Sequence, residues 1–194
     1  MSRAEEEIAV HKRKSLGFWV YLMTDCVLFA TLFATFAVLR TATAGGPAGS
    51  DIFDLDFVLI ETMILLTSSF TVGLGVLAAG HGLKKQAITW LSITFLLGAS
   101  FLTMELWEFS HLVNEGHGWQ VSAFLSAFFT LVATHGLHIA VGLIWMLVVI
   151  FRLLQRNFKK TDVRRLSILG LFWHFLDVIW IFIFSFVYLI GGMA

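Results

Sequence analysis

Five apolar runs, each long enough to cross a lipid bilayer, constrain this chain more than any other feature. A hydrocarbon core about 30 Å thick is spanned by roughly 20 helical residues at about 1.5 Å each. Runs that meet this length extend over approximately 17 to 39, 57 to 80, 87 to 108, 122 to 151 and 167 to 190. Composition agrees, because the chain is 58% hydrophobic and 13% charged, where a soluble domain carries roughly 25% charged residues. Too little polar surface remains for a globule in water. The expected fold is therefore all-α, a polytopic membrane protein with a five-helix bundle. Residues 1–16 read as a cytoplasmic segment and 17–194 as one membrane domain. The first run follows Lys12, Arg13 and Lys14 and precedes Ala42 and Ala44, flanks that resemble a signal peptide. Its apolar stretch is too long for one, so it reads as an uncleaved span. The fourth region has no Asp, Glu, Lys or Arg between Glu115 and Arg152. This exceeds one vertical crossing and predicts a helix that tilts or begins outside the core.

Basic residues resist translocation, so their placement orients the bundle. Arg3, Lys12, Arg13 and Lys14 precede the first span, and Lys84 and Lys85 lie between the second and third. Arg152, Arg156, Lys159, Lys160, Arg164 and Arg165 join the fourth and fifth, whereas the remaining segments contain only Arg40. Five crossings place every basic segment on one side, with the N-terminus cytoplasmic and the C-terminus periplasmic; four or six would break the alternation. Net charge is +0, which excludes the basic bias of a nucleic-acid binder. The single cysteine, Cys26, lies inside an apolar run, which excludes a disulfide framework and a cysteine metal site. The outer loop from Thr43 to Asp56 holds Gly45, Gly46, Pro47 and Gly49 followed by Asp51, Asp54 and Asp56. It reads as a solvated turn region without the glycine-spaced pattern of a calcium loop. Trp19, Trp90, Trp107 and Trp119 fall near span ends, where an interfacial aromatic belt would place them.

An ionisable group in hydrocarbon costs about 2.5–3.5 kcal/mol on insertion scales, so each needs a partner, a cavity or an interface. Eight occur within the spans: Asp25, Glu61, Glu105, Glu108, His135, His138, His174 and Asp177. Spacing of i, i+3 sets Glu105 with Glu108, His135 with His138, and His174 with Asp177 on single helix faces that can point into the bundle. Counted along the helices, Asp25, His138, His174 and Asp177 belong to an inner level and the glutamates to an outer one. A di-iron bundle would use Glu-x-x-His pairs, which no span contains within the bounds given above. Two histidines three residues apart cannot clamp one haem from both faces. A proton path through the acids and interhelical polar contacts, or contacts with lipid headgroups, both remain compatible with the set. Gly73, Gly75, Gly80, Gly136 and Gly142 would allow close helix approach. No phosphate cradle or nucleophile elbow is present. Two classes of function stay open on the residues alone: a non-catalytic subunit, or an independent membrane metalloenzyme or proton transporter using the buried Glu, Asp and His residues.

The segments ATHGLHIAVG around His135 and His138, and FWHFLDVIWIFIF around His174 and Asp177, resemble subunit III of haem-copper terminal oxidases. GFWVYLMTDCVLF and MELWEF match in the same order, and the loop AGGPAGSDIFDLDFVLIET looks most like the cytochrome bo-type ubiquinol oxidase branch. Chain length and span count fit the short, five-helix form of the family. The resemblance implies an accessory subunit without catalytic, cofactor-binding or metal-binding residues of its own, the haems and copper residing in subunit I. It implies direct contact with subunit I, association with subunits II and IV, bound membrane phospholipids, and a place in a bacterial inner membrane as part of a proton-pumping respiratory complex. Longer relatives carry a glutamate in the first matching helix, linked with lipid binding and carbodiimide reactivity, where this chain has Asp25. Support of proton uptake and of the catalytic subunit's stability is likewise what the resemblance implies.

Overall fold

A computed structural model describes residues 3–46, 49–155 and 158–191. Pro47, Arg156 and Ala194, which enter the loop and orientation readings above, lie outside the described residues. Six α-helices follow one another: α1 (Arg3–Leu39), the single turn α2 (Gly49–Ile52), α3 (Leu55–Gly80), α4 (Lys84–Asn114), α5 (Ala123–Gln155) and α6 (Lys160–Ile183). The last continues as a π-helical turn over Phe184–Leu189. Among the described residues five helices are long and apolar enough to cross a membrane, and none forms a strand. The segment ahead of the first span is helical from Arg3 and continuous with it. At 33 residues α5 measures about 50 Å, well beyond a bilayer core of about 30 Å, as its charge-free length predicts.

The turns between helices follow local chemistry. At the end of α3 the N–H of Leu83 bonds Ala78 O and that of Gly82 bonds Ala79 O, both at 3.0 Å, with Gly82 at φ 76°. This left-handed closure suits glycine and turns the chain directly into α4. The end of α4 repeats the motif, His117 N to Leu112 O at 2.9 Å and Gly116 N to Val113 O at 3.1 Å, with Gly116 at φ 84°. Asp54 caps α3 by accepting from Phe57 N at 3.2 Å, and Ser122 caps α5 by accepting from Leu125 N at 3.1 Å. Thus one of the three loop carboxylates serves the helix start.

Helix α6 occupies the middle of the bundle, packed against α3 and α5, while α3 pairs with α4 and α4 with α5. Helix α1 lies at the periphery, against α5 and more lightly α6. The core follows this arrangement. Trp173, Trp180 and Tyr188 from the α6 arm are fully buried beside Phe101 of α4 and Phe124 and Phe128 of α5. Two indoles fasten α6 to α3: Trp173 Nε1–H donates to Ser68 Oγ at 2.9 Å and Trp180 Nε1–H to Thr62 Oγ1 at 3.0 Å. Buried indoles need such acceptors, and only hydroxyls on α3 supply them here. Exposed large apolar residues, among them Leu137, Ile144 and Phe151 along α5, face outward as lipid-exposed positions do. Trp19, Trp107 and Trp119 are also exposed, in keeping with an interfacial belt, whereas Trp90 packs partly against the core. Cys26 is a free, exposed thiol.

The glycine expectations divide. A Cβ at Gly136 would lie 2.6 Å from Glu105 Oε1, and one at Gly142 would lie 3.1 Å from Trp173. Gly73 and Gly80 face open space, so they mark no close approach. Their correction has a plain cause: glycine content shows where helices can approach, while rotation about the helix axis decides where they do. Within the five spans, an unforeseen tight contact is at Gly98, against the Trp173 ring.

Candidate functional site

The eight intramembrane ionisable residues fall into three groups. The first joins α1 to α5, where Asp25 Oδ1 lies 3.8 Å from His138 Nε2. That separation is too long for a hydrogen bond. His138 Nδ1–H donates to Thr134 O at 2.7 Å, which fixes the ring so that Nε2 faces Asp25. The ring of Phe29 covers the other side at 5.3 Å.

The second group joins α6 to α3. His174 Nδ1 meets Ser69 Oγ at 2.6 Å. Asp177, 4% exposed, has no protein hydrogen bond at either carboxyl oxygen. The sequence offers His135 or His138 as candidate partners of this pair across the bundle, whereas the structure puts Ser69 against His174. Helix α6 presents this face to α3, so Ser69 holds His174 while His138 turns to Asp25. The expectation that His174 and Asp177 both point inward also fails, because His174 is exposed while Asp177 is buried. Residues three apart differ by about 60° around a helix, enough for one to sit at the rim of the bundle while the other is buried in it.

The third group gathers Glu61 of α3, Glu105 and Glu108 of α4, and Tyr188 from the end of the α6 arm. Tyr188 Oη–H donates to Glu108 Oε2 at 3.1 Å. Glu61 and Glu105 are 0% and 1% exposed, and none of their four carboxyl oxygens has a protein hydrogen bond. Glu105 rests against Gly136, where only the missing side chain leaves it room. That contact corrects the reading that places the glutamates and histidines at separate levels, since His135 adjoins Gly136. His135 itself is buried, its ring stacked on Trp180 at 5.2 Å and set edge-on to Phe101 at 6.1 Å, with both nitrogens free of protein partners. Among the described residues no three His, Cys, Asp or Glu side chains converge so as to hold a metal ion.

Sequence reasoning passes over Ser69 and Tyr188, the partners of His174 and Glu108. Tyr188 carries a signal that could have found it: it is one of two tyrosines, set near the end of an apolar span, and a buried phenol needs a polar neighbour. Ser69 carries none, because serine is ordinary in a membrane helix and its hydroxyl is chosen by what faces it.

A family model described as Cytochrome c oxidase subunit III matches residues 2–192. The chain is 58% identical over 177 residues to the cytochrome bo(3) ubiquinol oxidase subunit 3 of Pseudomonas aeruginosa, covering 91% of this chain and 85% of that one. It is 47% identical over 182 residues to the protein of the same name from Buchnera aphidicola, covering 94% of each. To the cytochrome c oxidase subunit 3 of Bacillus subtilis it is 45% identical over 181 residues, covering 93% of this chain and 87% of that one.

Proposed function

The chain belongs to the cytochrome c oxidase subunit III family, and we propose that it is the third subunit of a proton-pumping haem-copper quinol oxidase that takes electrons from ubiquinol. Its place is the bacterial inner membrane, as a multi-pass accessory subunit without a catalytic role. The observation that carries the quinol reading is graded similarity: relatives named as ubiquinol oxidase subunits reach 58% identity, one named as a cytochrome c oxidase subunit 45%. Oxygen is reduced to water in subunit I, which holds the haems and copper and contacts this chain directly. Subunits II and IV complete the complex.

In this reading the chain serves assembly, stability, lipid binding and proton uptake, and it binds no cofactor itself. Helices α3 to α6 share one core, and that supports a rigid supporting role. Lipid binding is supported by a groove of about 400 Å³ between α1 and α6, lined by Phe33, Phe182, Phe186 and Ile190 with Arg40 among its residues. The aromatic walls suit an acyl chain, and the guanidinium suits an anionic headgroup. Orientation follows the basic residues, N-terminus cytoplasmic.

Purification in mild detergent tests the assignment. A haem- and copper-bearing membrane subunit should co-purify, and the complex should oxidise ubiquinol. The separated chain should show no Soret band and no stoichiometric iron or copper. Recovery of the chain alone with a bound metal would return the independent enzyme.

A further inference from the structure

The supporting role described above leaves the Glu61, Glu105, Glu108 and Tyr188 cluster without an assigned part. At the α2 end of the bundle a cavity of about 350 Å³ runs in from the surface, lined by Asp54, Phe57, Trp107, Glu108, His111 and Glu115. Glu108 alone of the three buried glutamates lines it. Behind Glu108, on its Oε2 side, stands the Tyr188 hydroxyl at 3.1 Å. Glu61 and Glu105 are sealed from the surface and without hydrogen bonds from the protein. All three carboxyls are within electrostatic range of one another.

The groups facing this cluster come from every element around it. Helix α3 brings Glu61, the turn before it Asp54, α4 Glu105, Glu108 and the mouth residue His111, the α6 arm Tyr188, and α5 His135 beyond the Phe101 and Trp180 rings. Glu115 at the mouth is engaged by His111 at 3.3 Å. None of the ion pairs among the described residues includes Glu61, Glu105 or Glu108. Carboxylates of like sign sharing one apolar site cannot all be ionised, so such groups share protons. A hydroxyl that donates to one carboxylate and can accept from another group is suited to relay between them.

We propose that Glu61, Glu105 and Glu108 form with Tyr188 a proton-binding site that loads and unloads through the cavity at the α2 end. A proton arrives from water on Glu108, neutralising its carboxylate, and passes to Glu105 or Glu61, which returns Glu108 to the charged form. Release runs the same steps backward. Glu105 and Glu61 store the proton, and Glu108 with Tyr188 controls its exchange.

Infrared spectroscopy tests this on the protein reconstituted into lipid vesicles in the assembly in which it leaves the membrane. The wild type minus Glu105→Gln difference at neutral pH should contain a protonated-carboxyl C=O band that shifts in D2O. Glu61→Gln should remove intensity in the same region. Glu108→Gln should keep the band but slow its deuterium shift about a hundredfold, the lower end of what a positioned proton-transfer group contributes. Tyr188→Phe should slow the shift less. If Glu105→Gln fails to assemble, the Glu61→Gln difference and the Glu108→Gln exchange rate decide. Absence of the band from both differences overturns the proposal, as does wild-type exchange in Glu108→Gln. Loss of the band on adding sodium ions at constant pH would also overturn it, in favour of a metal-cation site.

Discussion

Gly98 sits where α4 meets the indole of Trp173, and an alanine there measures how firmly that ring is held. A Cβ on residue 98 would lie 2.7 Å from Cη2 and 2.8 Å from Cζ2 of the ring, and 3.1 Å from Leu143 Cδ2. Carbon atoms rest about 3.5–4.0 Å apart, so the indole would have to retreat by about 0.8 Å. Retreat is opposed on two sides. Trp173 Nε1–H is committed to Ser68 Oγ at 2.9 Å, and on the Gly142 side there is so little room that a Cβ there would lie 3.1 Å from Cζ3. Overpacking of this kind costs about 1–3 kcal/mol. Loss of the indole hydrogen bond adds about 0.6 kcal/mol, and at most about 1.7. The better helix propensity of alanine offsets up to about 1 kcal/mol. Gly98→Ala should therefore destabilise the bundle by about 1–3 kcal/mol. Titration from mild detergent into dodecyl sulfate, followed by near-ultraviolet circular dichroism, reads this as a lower midpoint. The control is Trp173→Phe, which deletes the two ring atoms that would clash. In that background the penalty should fall to a few tenths of a kcal/mol, giving a coupling of about 1 kcal/mol or more. A wild-type midpoint for Gly98→Ala, or an equal penalty in both backgrounds, would refute the reasoning.

Ser69→Ala removes the partner of His174 and should lower the same midpoint by about 0.6 kcal/mol and at most about 1.7; no change would mean that the contact contributes nothing. Asp177→Asn in the assembled oxidase should leave the haem spectrum and initial quinol oxidation rate nearly unchanged while the subunit dissociates more readily in detergent. Loss of the initial rate with the complex intact would instead give Asp177 a direct role in proton transfer. Reporter fusions at Lys85 and after Ala194 should register on opposite sides of the membrane; both on one side would remove the proposed orientation.

The helices were legible in the sequence because their cause is local. Length and hydropathy alone place five spans, whereas the turns at Gly82 and Gly116 and the caps at Asp54 and Ser122 emerge only with the structure. Partners across the bundle were not legible, and the reason is geometric. Ser69 and His174 are 105 residues apart, as are Ser68 and Trp173. No local pattern relates such positions, because the contact depends on how far each helix is rotated and on which helices become neighbours. Helix α6 packs on α3, two helices removed from it in the chain, and that fact decides the partners of Trp173, His174 and Trp180. Burial alone already favoured an inward face for the glutamates, so Glu61, Glu105 and Glu108 could be named as candidates. Their convergence needed two conditions that appear only in three dimensions: Gly136 leaving room for Glu105, and the end of the α6 arm turning Tyr188 onto Glu108. A reading that names acids in a membrane span thus gives the members of a site before it gives the site. For His174 and Asp177 the same limit acts in reverse. Their i, i+3 spacing puts them on one face of an isolated helix, but about 60° of rotation separates them, and the packing leaves one side chain at the surface and the other buried.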